Sequence, residues 1–91
     1  MVSRDTADVL ELKIQAREAV DLAMNGRWEE AAAVNRLVIA ASPSDVEAYN
    51  RLGKSLLELG DPVAAREAFQ HSLSLNPTNP IARKNIERLS N

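Results

Sequence analysis

The chain contains no cysteine, which excludes disulfides, thiolate catalysis and thiolate metal sites together. His71 is its only histidine, so zinc held by paired histidines is excluded and a histidine-based triad lacks helpers. Aromatic residues make up 3% of the sequence, as Trp28, Tyr49 and Phe69. A core this poor in rings and in β-branched runs must be built from Leu, Ala, Val and Ile, which favours helix packed on helix. No apolar run reaches the ~18 residues of a membrane span, and the first residues lack the basic and apolar regions of a secretory leader. No membrane association is expected, and the cytoplasm is the default location. Charge of one sign is scarce as well: the net charge is −2, divided as −3 over residues 1–45 and +1 over residues 46–91. That polarity is too weak for a nucleic-acid footprint. No nucleophile–base pair, phosphate loop or metal cluster is present, so neither an enzyme nor a cofactor is expected.

What is present is a period. Gly26 and Gly60, Ala31 and Ala65, Pro43 and Pro77, Leu22 and Leu56, and Ala19 and Gly53 all stand 34 residues apart. A fixed spacing of that size marks stacked supersecondary units within one small domain. Helices are expected over 5–25, 28–41, from about 44 to 59, 62–75 and 80–89. Asp5 or Thr6 caps the first, whose Leu12, Ala16, Ala19 and Ala23 share a face with Leu22 beside them. Asn25-Gly26 and Gly60 supply left-handed stops. Ser44-Asp45-Val46-Glu47 reads as a capping box for the third helix. Asp61-Pro62 and Asn79-Pro80 are each a cap followed by proline at the first helical position, where a missing N–H costs nothing. Connections this short make neighbouring helices antiparallel.

These residues resemble the tetratricopeptide repeat family. The best copy is 46–79, where Tyr49, Leu52, Gly53 and Leu56 fill the first helix's pattern, Gly60 turns the chain, and Ala65, Phe69 and Pro77 follow on the second. Residues 12–45 are a poorer copy, with Ala19, Leu22, Gly26, Ala31 and Pro43 in register and Trp28 where an aromatic is common. Gln15 and Glu18 stand at slots that are normally apolar, which suits a first repeat with no earlier neighbour. Asn35 occupies the place of Phe69, and as a buried amide it must be hydrogen-bonded or else lie nearer the surface. Residues 80–91 provide a third first-type helix, with Ala82 and Ile86 at packing slots and Glu87 facing water as a solvating cap. The resemblance implies an all-α fold of antiparallel helix pairs stacked as a short right-handed superhelix of five helices, two repeats plus a C-terminal capping helix.

It also implies a concave groove lined by the first-type helices. The matching slots hold Lys13, Ala16, Val20, Ala23 and Met24, then Glu47, Asn50, Lys54, Leu57 and Glu58, then Ile81, Lys84 and Arg88, with Arg17 and Arg51 one slot further round. The expected binding residues are Ala16, Val20, Met24, Asn50, Arg51, Lys54, Leu57, Lys84 and Arg88, forming a groove apolar at one end and cationic at the other. The carboxylate clamp that some family members use for an acidic chaperone tail is absent, because its slots hold Ala16, Val20, Arg51, Ile81 and Asn85. Trp28 reads as a packing aromatic, His71 as an exposed residue of the convex face, and Glu29-Glu30 as a pair favouring its helix N-terminus. The function expected is protein–protein interaction, with a peptide or partner helix, acidic at one end, held in the groove. The alternative is self-association, in which another copy fills the groove or covers the first helix around Val9 and Leu10.

Overall fold

The structure, a computed structural model, describes the backbone of residues 4–90 and the side chains of residues 8–90. It consists of α1 (Arg4–Met24), α2 (Trp28–Ala41), α3 (Val46–Glu58), α4 (Pro62–Leu75) and α5 (Pro80–Ser90). The all-α expectation holds: no strand occurs among the described residues. The side chains of Asp5 and Thr6, the expected caps of α1, lie outside them. Each helix packs on the next in chain order, and α1 also touches α3. The extents, 53 × 28 × 17 Å, are those of a row of helices. No described helix is long and apolar enough to cross a membrane.

The period has a local cause at the turns. Gly26 and Gly60 adopt φ of 72° and 80°, a left-handed conformation that a side chain would strain. The Gly26 and Arg27 N–H groups donate to the carbonyls of Ala23 (3.0 Å) and Leu22 (2.9 Å). The Gly60 and Asp61 N–H groups donate in the same pattern to Leu57 (3.0 Å) and Leu56 (2.9 Å). Both are Schellman closures, which satisfy carbonyls that the helix end leaves open. Ser42 and Asn76 close α2 and α4 with φ of −139° and −141°, outside the helical region that the proline after each disfavours.

At the helix starts one expectation is corrected. The cap of α3 is Asp45, whose Oδ1 accepts from the Ala48 N–H at 3.1 Å, and no Ser44–Glu47 box forms. With Asp45 as cap, the third helical position is Ala48, so Glu47 is one residue early for the reciprocal bond. Asp61 Oδ1 accepts from the Ala64 N–H at 3.1 Å and Asn79 Oδ1 from the Ala82 N–H at 3.0 Å, as the cap-then-proline pattern predicts.

The core is uneven. Its main cluster joins Leu56, Ala65, Ala68, Phe69 and Ala82, with Leu52, Leu73, Ile86 and Leu89 packed around it. At its centre the Phe69 ring lies on bare backbone, since a Cβ at Gly53 would stand 2.7 Å from the ring carbons. Thirty-four residues earlier the corresponding pair is Ala19 and Asn35. A methyl on α1 takes the space that a ring would need, and a smaller side chain stands opposite. The buried residues of α1 and α2 are accordingly small: Ala19, Ala31, Ala32, Asn35 and Val38.

A cleft walled by all five helices

Asn35 resolves in favour of hydrogen bonding. It is buried, 1% exposed, and its Oδ1 accepts from Arg51 Nε at 2.9 Å. The bond ties α2 to α3 and fixes the guanidinium, because the planar fork follows once Nε is held. One turn further along α3, Ser55 Oγ donates to the Arg51 carbonyl at 3.0 Å.

Arg51 lines a cleft of about 260 Å³ whose other walls are Ala23 of α1, Trp28 of α2, Asn50 and Lys54 of α3, Phe69 of α4, and Ile81 and Asn85 of α5. Every helix therefore contributes to one cavity. Lys54 Nζ stands 5.9 Å from the centre of the Trp28 ring, within range of a cation–π attraction, and donates to Glu58 Oε1 at 2.9 Å. Asn50 Nδ2 donates to Asn79 Oδ1 at 3.0 Å, the same oxygen that caps α5. The amide orientation of Asn50 is thus set by a residue on the far side of α4 in sequence.

Two polar atoms of the cleft residues are buried with no hydrogen-bond partner: Asn50 Oδ1 and Arg51 Nη2. One is an acceptor and the other a charged donor. Leaving such atoms unpaired typically costs about 1–3 kcal/mol each, more when charged. Among the described residues, carboxylates pair with Arg17 (Asp21, 3.8 Å), Arg27 (Glu30, 2.7 Å) and Lys54 (Glu58, 2.9 Å), and none lies at ion-pair distance from Arg51, Lys84 or Arg88.

Of the residues expected from the sequence, Asn50, Arg51 and Lys54 come together in the cleft, joined by Ala23 and Ile81 from the wider set of slots. Ala16 is half-buried on α1, and Val20 and Met24 are exposed there. Leu57 packs against the core cluster. Lys84 and Arg88 are exposed on α5. None of these six lines the cleft. Trp28, Phe69 and Asn85 line it although slot matching omitted them. Trp28 could have been found from its place at the very start of α2, where a half-buried indole borders the neighbouring helices. His71 is exposed as expected and stacks on Tyr49, with ring centres 4.9 Å apart and planes 4° from parallel.

Residues 46–79, which comprise α3, α4 and the turn after them, match the tetratricopeptide repeat family model. Repeats of this family generally mediate protein–protein interaction and act as non-catalytic scaffolds. The matched segment supplies Asn50, Arg51, Lys54 and Phe69 to the cleft, and the helices before and after it supply the remaining walls. The chain therefore carries a tetratricopeptide repeat at residues 46–79, set in a five-helix stack consistent with a domain of that family.

Proposed function

We propose that this protein is an interaction module that holds a short segment of a partner protein in the groove running along α1, α3 and α5. The observation that carries the reading is the single cleft to which all five helices contribute, with apolar walls at Trp28, Phe69 and Ile81 beside Asn50, Arg51 and Lys54. Pockets of this makeup, mostly apolar with a few fixed polar groups, suit recognition of a defined segment. Ala16, Val20 and Met24 lie on α1 and the exposed Lys84 and Arg88 on α5, so the two outer helices differ in polarity. A segment with a hydrophobic anchor and an acidic end complements that polarity. In this reading residues 12–45 and 46–79 are two repeats and residues 80–91 a capping helix, as the paired glycine closures after α1 and α3 support.

Titration of the ¹⁵N-labelled domain with pools of short acidic or basic peptides, each with a central Leu, tests the reading. Binding should shift the Trp28 indole signal and the Asn50 amide. Replacing Trp28 with Ala should weaken it at least ~10-fold, as expected of a central aromatic anchor. Shifts confined to other surfaces, or indifference to Trp28→Ala and Lys54→Ala, would sink it.

A second reading, self-association, is favoured by the exposed apolar residues of α1. Val9, Leu10 and Ile14 are 53%, 56% and 59% exposed, close together on the half of the helix away from Gly26. Sedimentation over a wide concentration range tests it, and a strict monomer throughout would end it.

A further inference from the structure

Asn35 is the least expected residue of the core, and it holds the guanidinium of a cleft residue from within it. It stands where the other half of the molecule has Phe69, is 1% exposed, and spends its carbonyl on Arg51 Nε at 2.9 Å. A buried amide that served packing alone would be better replaced by an apolar side chain of similar volume. Its bond instead holds Arg51, a cation that lines the cleft and has no described carboxylate at ion-pair distance. The guanidinium therefore keeps its full charge beside a neutral amide, next to the apolar surfaces of Trp28, Phe69 and Ile81.

We propose that Asn35 is a positioning residue for ligand recognition: it sets Arg51 to receive a carboxylate of the partner while the adjoining apolar surface takes a neighbouring hydrophobic side chain. The occupant is thus a peptide segment in which an acidic residue lies beside an aliphatic or aromatic one. Charge complementarity argues for the carboxylate, since a main-chain carbonyl would leave the charge of the guanidinium uncompensated. Asn35 is chosen over Asp for a physical reason: a buried aspartate would hold the same nitrogen but neutralise the guanidinium before any ligand arrived.

The proposal rests on the groove reading above, and the experiment separates the two. The probes are matched pools of short peptides with central Leu-Glu or Leu-Gln, titrated into the labelled domain while the Arg51 Nε–Hε and Trp28 Nε1–Hε1 signals are followed. The Glu pool should bind ~10-fold more tightly than the Gln pool, the usual scale of a charge-assisted hydrogen bond. Asn35→Asp should keep the Arg51 signal in place yet abolish the preference for Glu. Arg51→Gln should abolish it too, and needs no change inside the core. Asn35→Ala should broaden or shift the Arg51 signal towards that of a free arginine and reduce the preference in step. If both pools bind equally well in the cleft, or if Asn35→Asp retains the Glu preference, the positioning role is wrong and the groove reading survives. If neither pool moves the Trp28 signal, both fall.

Discussion

Gly53 and Phe69 have to be considered as one unit, because two opposing effects meet at the glycine. In a helix interior alanine is favoured over glycine by about 1 kcal/mol, which alone would make Gly53→Ala stabilising. The added Cβ would lie 2.7 Å from Phe69 ring carbons, and the ring is fully buried, at 0% exposure. Overpacking of a tight core typically costs about 1–3 kcal/mol, so the steric term should win. Gly53→Ala is expected to lower stability by about 1–2 kcal/mol net, and Phe69→Leu in the same chain should recover part of it. Thermal unfolding of the two single variants and the double decides the matter: a stabilised Gly53→Ala would show that the ring moves freely. The period aligned these positions with Ala19 and Asn35, and volume matching explains why both members differ between the halves.

At the scale of elements, the ends of the helices were the most legible part of the fold. Glycine, proline and the capping side chains act on their immediate neighbours, so their meaning does not depend on distant packing. Asp45 shows the limit of that legibility: Ser44 and Asp45 are both competent caps, and choosing between them needed the helix register. Asn79 goes beyond a local role. Its Oδ1 accepts from Ala82 N–H at the start of α5 and from Asn50 Nδ2 on α3, each at 3.0 Å. Replacing Asn79 with Ala should cost about 1 kcal/mol for the cap and up to about 1.5 kcal/mol for the second bond. Asn79→Asp should retain most of the stability, because it keeps the acceptor and places a negative charge at a helix N-terminus. Urea denaturation measures both variants, and an Asp variant as weak as the Ala variant would argue against a shared acceptor. The other end of α5 is tied down by Arg66, which donates to the Leu89 carbonyl.

For the whole molecule the governing fact is the uneven distribution of large buried side chains. The cluster around Phe69 joins α3, α4 and α5, whereas α1 and α2 meet largely through alanines. The open face of α1 carries Leu10 and Ile14 exposed. If a second copy covers that face, Ile14→Glu should convert a concentration-dependent sedimentation profile into that of a monomer without loss of helix content. Binding in the cleft should be unaffected by the same change, because Ile14 is not among the cleft residues. The two readings of function thus separate on different surfaces of one molecule.

The sequence by itself determined the helical class, the turns and the spacing, because each rests on local chemistry repeated at a fixed interval. It also marked Asn50, Arg51 and Lys54 by their slots. Only the tertiary structure decided what those side chains do. Arg51 meets Asn35 across 16 residues of chain and Asn50 meets Asn79 across 29, and Trp28 faces Lys54 from the start of another helix. A period relates like positions in successive units; contacts between unlike positions on neighbouring helices depend on how the helices cross, and the cleft is made of such contacts.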